Sequence, residues 1–281
     1  MKVSIIIRTF DSGRTRGDVL DAVSSQSLTD REVVIVDSGS KDATLEIVGG
    51  YPHVFVDFSG RPFGYGASLN AGISASSGEY AVCLSSHCVP LRDDWLDGLV
   101  RVMESDERLA GAWGPLVFER RDGRSRDGGV EVMDLEGFYG QPNRGLQNSN
   151  SIIRRSLWEK RHFSQEVPTA EDQDWAHHFL KLGYSTALVK DAPVLYRIPQ
   201  GPIRYGRKMS HEFVVLNDMF GHEPGVTLVD LLGSLVRLTG AVILGRRSSW
   251  TGVKVFAGMV GVWHAGRTLR SRDRGRSKET S

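Results

Sequence analysis

Along the first half of the chain the spacing of apolar positions switches repeatedly between two periods. Short β-branched runs, Val3 to Ile7, Glu32 to Asp37, Val54 to Asp57 and Glu79 to Ser85, read as strands. Between them lie segments with helical spacing. These are Ala43 to Val48 behind Ser40 and Asp42, Gly66 to Ser76 behind a glycine-rich loop, and a segment opened by Asp93 and Asp94 that runs to Met103. Such alternation predicts an α/β domain with a mostly parallel central sheet flanked by helices, and it gathers ligands where the strands end.

Periodicity fails from Phe118 to Arg144, where arginine, aspartate and glycine dominate, and a long loop or flexible insertion is expected over 118–147. Order returns with Asn148 to Arg154. A helix follows over Thr169 to Leu182, stopped by Gly183, and then a strand over Tyr184 to Val189. After Pro202 the pattern is mostly helical, and the chain ends in Arg267, Arg270, Arg272, Arg274, Arg276 and Lys278. The expected organisation is one domain over 1–207 and a helical C-terminal extension with a basic tail over 208–281.

A length of 281 residues suffices for a sizeable core. Lys and Arg total 35 against 34 Asp and Glu, so no global field favours nucleic acid, and none is expected as a partner. Cys83 and Cys88 form neither a CxxC nor a zinc spacing, which suggests free thiols in a reducing compartment. The run after Lys2 is too short for a signal-peptide core. Val226 to Gly245 is interrupted by Asp230 and Arg237, and Gly252 to Trp263 carries Lys254, so neither reads as a transmembrane helix and a cytoplasmic location is expected.

Candidate chemistry starts at Asp37, an acid closing a buried strand just before a helix. It either accepts hydrogen bonds from a base or ribose, or shapes the turn together with Ser40. In Phe63-Gly64-Tyr65-Gly66 the dinucleotide fingerprint fails, because Leu69 occupies the last glycine position and the loop follows the third strand. That disfavours a Rossmann oxidoreductase and leaves the glycines to permit close backbone approach. His177 and His178 are adjacent and point about 100° apart on a helix, so they form no zinc pair. Trp95, Trp113 and Trp158 read as packing.

Four segments then occur in one order: Val3 to Asp11 with Arg8-Thr9-Phe10-Asp11, Val36-Asp37-Ser38-Gly39-Ser40-Lys41-Asp42-Ala43-Thr44, Asn70-Ala71-Gly72 through Gly78-Glu79-Tyr80, and Glu171-Asp172-Gln173-Asp174-Trp175. Together they resemble the family 2 glycosyltransferases over Val3 to Arg207. The resemblance implies the GT-A fold and inverting transfer of a sugar from a nucleotide diphosphate to a hydroxyl acceptor on a glycan or lipid carrier. With Phe63-Gly64-Tyr65-Gly66, Leu84-Ser85-Ser86-His87-Cys88-Val89-Pro90 and Trp95-Leu96, the chain resembles bacterial rhamnosyltransferases of surface polysaccharides, which implies a deoxyhexose such as rhamnose.

The resemblance assigns Thr9, Asp11 and Asp37 to the nucleotide, with Asp37 on the base, and Asp172 to the general base, with Glu171 as fallback. It adds Asn70, Ser86, His87 and Asn150 to the donor and acceptor pocket. The chain departs from the family where most members carry Asp-x-Asp for a divalent metal, because Ser85-Ser86-His87 stands there. A cation such as Mn²⁺ or Mg²⁺ then has His87 as its one protein ligand, or His87 bonds the diphosphate, or is structural. Arg197 stands near where many relatives place a His, either neutralising a leaving diphosphate or facing solvent at a strand end.

Two further alternatives stay open. Thr169 with Asp172 approximates a capping box, so helix chemistry competes with catalysis there. The stripe Leu228, Leu231, Leu232, Leu235, Val236 and Leu238 with the arginine tail fits an interfacial helix at the cytoplasmic face of a membrane, or a packed helix with a solvated tail. A non-catalytic nucleotide-sugar or glycan-binding module is the rival to an enzyme.

Overall fold

A computed structural model describes residues 1–118, 128–140, 145–198, 201–221, 227–243, 253–254 and 256–267, apart from the side chains of 14–16 and 237–243. The chain divides into two compact units, Met1–Arg197 and Ile198–Ser281.

The first unit opens with β1 (Val3–Thr9), α1 (Gly13–Ser24), β2 (Arg31–Asp37), α2 (Thr44–Gly49), β3 (Val54–Asp57), α3 (Tyr65–Ser74) and β4 (Tyr80–Ser85). It continues with β5 (Cys88–Pro90), α4 (Trp95–Ser105), β6 (Leu109–Trp113), β7 (Leu116–Val117), β8 (Val130–Met133), α5 (Leu135–Gly140) and β9 (Asn150–Arg154). It closes with α6 (Arg155–Trp158), α7 (Glu171–Lys181), β10 (Ser185–Val189) and β11 (Val194–Tyr196).

The strands form an 8-stranded sheet in the order β3-β2-β1-β4-β9-β6-β10-β8, with a small sheet β5-β11-β7 beside it. β1 runs parallel to β2 and β4, with Thr9 opposite Asp37 and Arg8 opposite Ser85, so these strand ends are level. β9 is antiparallel to both β4 and β6. An antiparallel strand begins where its parallel neighbours end, so Asn150 lies opposite Leu84 and the loop before it reaches the same edge.

One core cluster joins Ile6, Val36, Leu69, Ile73, Cys83, Trp158, Phe163, Trp175 and Phe179. α3 presses on the sheet at Gly72, where a Cβ would lie 2.4 Å from Ile6 Cγ2. Trp95, Trp113 and Trp158 are buried, as the packing reading expects, and Cys83 and Cys88 are buried free thiols. Three arginines donate to carbonyls at or just beyond helix C-termini. Arg31 reaches Ser24 O at 2.7 Å, Arg155 reaches Ile73 O at 3.0 Å and Arg154 reaches Asp106 O at 2.8 Å.

Part of the expected loop over 118–147 is regular. β8 pairs antiparallel with β10 from Thr186–Met133 to Val189–Val130, and α5 follows it. Val130 and Val132 are exposed on this edge strand, so no buried face imposes a period that the sequence could display. Residues 119–127 and 141–144 lie outside the described set.

In the second unit α8 (Pro202–Phe220) starts on Pro202 and ends at Gly221, whose φ of 69° suits a left-handed cap. α9 (Leu228–Ile243) follows, and 256–267 is also helical. Gly206 permits close backbone approach there, since a Cβ on it would lie 2.5 Å from Ala257 O. Among the described residues no helix is long and apolar enough to cross a membrane. The basic tail from 268 onward lies outside them.

Candidate active site

The ends of β1 and β2 are tied to the starts of α1 and α2 by side chains that accept from backbone amides. Asp11 adopts φ 45° and accepts from Lys41 N at 2.8 Å, while its own amide donates to Ser40 Oγ at 3.0 Å. Asp42 Oδ2 accepts from Gly13 N at 3.0 Å, and hydrogen bonds from the Thr44 hydroxyl and Gly13 hold its carboxyl below the ordinary range. Asp37 is 2% exposed and accepts from Gly39 N at 2.9 Å, Ser40 N at 2.8 Å and Ser40 Oγ at 2.5 Å. Its carboxylate therefore shapes the turn, one of the two readings left open for it. Thr9 Oγ1 is buried with no hydrogen-bond partner in the described structure.

Ser86 sits at the turn from β4 to β5, its Oγ 3.0 Å from Ser12 Oγ, which links this turn to the start of α1. Ser85 Oγ lies 3.1 Å from a His87 ring nitrogen, and the His87 ring packs edge-on against Tyr196 at 5.0 Å. Among the described residues no group of three or more His, Cys, Asp or Glu could hold a metal ion. The Ser85-Ser86-His87 turn brings one imidazole and two hydroxyls and no carboxylate, a poor set for a cation held by protein alone.

Arg197 follows β11, and its amide donates to His87 O at 2.9 Å. Its guanidinium pairs with Asp18 of α1 at 2.5 Å and lines a groove of about 530 Å³ with Asp21, Arg92, Asp93 and Leu195. The pair lies at the surface and engages one nitrogen of the guanidinium.

Asp172 stands in the first turn of α7. Ala170, at φ 65°, occupies the N-cap position and no side chain caps the helix, so Thr169 forms no capping box. The first-turn residues instead hold the loop leading to β9. Asp172 Oδ2 accepts from Asn148 N at 2.9 Å and Oδ1 from Gln173 N at 2.8 Å; buried Glu171 accepts from Asn148 Nδ2 at 3.3 Å. Gln173 Oε1 accepts from Gly145 N at 3.0 Å. Below them Trp175 is 0% exposed and Phe179 1%, so the expected apolar stripe anchors the helix. Asp172 is half-buried, and each of its two oxygens accepts a backbone N–H.

Two expected pocket residues belong to the core. Asn70 is 6% exposed, donates to Phe163 O at 2.9 Å and accepts from Trp158 Nε1 at 2.9 Å and Phe163 N at 3.1 Å. Asn150 is 0% exposed, donates to Ala192 O at 2.9 Å and accepts from Trp95 Nε1 at 3.0 Å. Both amides pair with protein across long sequence separations.

Sequence reasoning gave Arg8 no role. It lies one residue before the end of β1, where its Nη1 donates to Tyr65 O at 3.1 Å and its guanidinium carbon lies 5.0 Å from the Tyr65 ring centre. The available signal was a charge inside the otherwise buried run Val3 to Thr9.

Parallel strand ends carrying Thr9, Asp37 and Ser85, joined by an antiparallel β9 and faced by the acidic first turn of α7, define the GT-A class of nucleotide-sugar transferase folds. The chain belongs to glycosyl transferase family 2, whose family model matches residues 4–161. It is 24% identical over 208 residues to the O-antigen chain rhamnosyltransferase RfbN of Salmonella typhimurium, covering 69% of this chain and 66% of that protein. It is 33% identical over 200 residues to the glycosyltransferase AglE of Haloferax volcanii, covering 67% of this chain and 64% of that protein. The chain thus spans slightly under two thirds of these curated relatives. The mannosyltransferase PcManGT from Pyrobaculum calidifontis, solved with GDP-Man and Mn²⁺, shares the fold with a TM-score of 0.64 at 16% identity, over 94% of this chain and 86% of that one.

Proposed function

We propose that this protein is an inverting glycosyltransferase that moves a sugar, a deoxyhexose such as rhamnose, from a nucleotide diphosphate to a hydroxyl on a glycan or lipid-linked acceptor in surface polysaccharide synthesis. The observation that carries the reading is Asp172, held half-buried in the first turn of α7 at the edge where the sheet's parallel strands end. In one displacement the acceptor oxygen attacks the anomeric carbon and gives its proton to Asp172. The bond from that carbon to the diphosphate oxygen breaks on the opposite face, so configuration inverts and no covalent intermediate forms.

Support for the donor class comes from neighbours solved with GDP-Man and with UDP-GlcNAc, and for rhamnose from the relatives named rhamnosyltransferases. The decisive experiment supplies the purified protein with a panel of nucleotide sugars and candidate acceptors, then reads nucleotide release and the anomeric configuration of the product. Nucleotide release with inverted product is expected. Binding without transfer across the panel would make the protein a carbohydrate-binding module, and retained configuration would remove the single-displacement mechanism.

Contact with the cytoplasmic face of an anionic membrane is part of this proposal. Leu228, Leu232, Leu235 and Val236 of α9 are exposed, and the sequence continues into the arginine-rich tail. Co-sedimentation with phosphatidylglycerol vesicles, lost at high salt, is the expected result.

A further inference from the structure

We propose that Arg8 is a donor-binding residue of this site, its guanidinium taking the negative charge of the donor's diphosphate. The inference rests on the nucleotide-sugar reading above and names a residue to which that reading assigned nothing.

Arg8 projects on the face of the sheet shared by Ile6, two residues earlier on β1, and by Cys83 and Ser85 of β4, since Ile6 pairs with Cys83 and Arg8 with Ser85. Ile6 and Cys83 are both 0% exposed, so the guanidinium emerges directly above core. Keeping a cation there is costly unless something compensates it. Among the described residues Arg8 makes no ion pair. Its hydrogen bond to Tyr65 O uses one of five N–H donors, and the Tyr65 ring lies close beside the guanidinium. The rest of the fork remains for a ligand, and a planar fork suits the paired oxygens of a phosphate.

Its surroundings place it near the acids. Ser85, opposite Arg8, donates its amide to Ser149 O at 3.1 Å, and the adjoining Asn148 donates to Asp172 and Glu171, so the cation and both carboxylates lie along one edge of the sheet. No salt bridge joins Arg8 to either acid. A reactant between them would meet a base on one side and a fixed positive charge on the other. The Ser85-Ser86-His87 turn supplies no carboxylate for a cation, and Arg197 is paired with Asp18. Among the described residues Arg8 is a cation at these strand ends that makes no ion pair, which suits it to answer the diphosphate. As the bond to the anomeric carbon breaks, its electron pair moves onto the leaving oxygen. Attraction to a preorganised guanidinium grows at that moment, and Arg8 itself transfers no proton.

Calorimetry with UDP, GDP and dTDP, each beside its own nucleoside, tests the assignment. For the diphosphate that wild type binds, Arg8→Met should weaken affinity roughly tenfold or more, because a charge-assisted contact is lost. Nucleoside affinity should not change, and that invariance also reports a folded variant. Arg8→Lys should fall between the two, keeping the charge and losing the fork. If Arg8→Met proves unstable, the loss in Arg8→Lys carries the test. Equal diphosphate affinity in wild type and the Arg8 variants would overturn the assignment while leaving the donor reading intact. A loss in Arg197→Ala in place of Arg8→Met would also overturn it. If wild type binds none of the diphosphates, the donor reading fails, and Arg8's role with it.

Discussion

Asp172 accepts a hydrogen bond from the backbone amide of Asn148 at 2.9 Å, so the start of α7 and the loop entering β9 fix each other. A base positioned by backbone rather than by a mobile side chain keeps its place when the acceptor arrives. Asp172→Asn preserves the shape and removes the basicity. We expect turnover to fall by roughly 10² to 10⁴ with nucleotide affinity nearly unchanged. Steady-state assays beside calorimetry check this, and activity within a few-fold of wild type would remove Asp172 from the mechanism. Glu171→Gln should be milder, because an amide oxygen can still accept from Asn148 Nδ2.

Asp37 holds the turn after β2 through Gly39 N and Ser40 N. Asp37→Ala leaves both amides without their acceptor and should cost about 1–3 kcal/mol of stability, with weaker nucleotide binding as the loop loosens. Chemical denaturation and nucleotide titration measure the two effects separately. A variant as stable as wild type would contradict the turn-forming role.

The two glycines of Phe63-Gly64-Tyr65-Gly66 should behave differently. A Cβ on Gly66 would lie 2.1 Å from Ser164 O, a backbone atom that cannot rotate away. Gly66→Ala should therefore destabilise by about 1–3 kcal/mol. At Gly64, with φ −147°, a Cβ would meet Ala67 Cβ at an ordinary 3.5 Å. Gly64→Ala should stay within about 0.5 kcal/mol of wild type, and a comparison of melting temperatures decides both.

Burial pushes the Cys83 thiol from 9.0 up to about 12. The unfolded chain loses this proton near the ordinary value, so the folded state binds more protons above it. The contribution is complete below about pH 9 and is lost as pH rises toward 12. Cys83→Ala should lower stability at neutral pH by opening a small cavity, yet flatten the alkaline decline. Denaturation curves at several pH values above neutrality would show it, and parallel declines in the two proteins would refute it.

Titration of Mn²⁺ into the protein without nucleotide should give no stoichiometric binding, because the described residues bring no three metal-ligating side chains together. Tight binding in calorimetry under those conditions would reveal a site assembled by other residues.

Local pattern was enough to locate β1 to β4 and α7, because strand and helix periods are written in residues a few positions apart. Val54–Asp57 is a strand as read, and Trp175 and Phe179 anchor α7 as the stripe implied. The motif order also carried the family. What the sequence left open depends on which side chains meet after the sheet has ordered itself. Asn70 and Asn150 look like pocket residues in a motif, yet they pair with Phe163 and Ala192, far along the chain. Nothing local in the sequence announces the Asp18 that α1 brings to Arg197, and Arg8 reads as an oddity until Tyr65 packs beside it. The antiparallel insertion of β9 between β4 and β6 brings the loop held by Asp172 to the strand ends. Periodicity records whether a residue is buried, but a polar group's partner is chosen in three dimensions, among neighbours that no local period encodes.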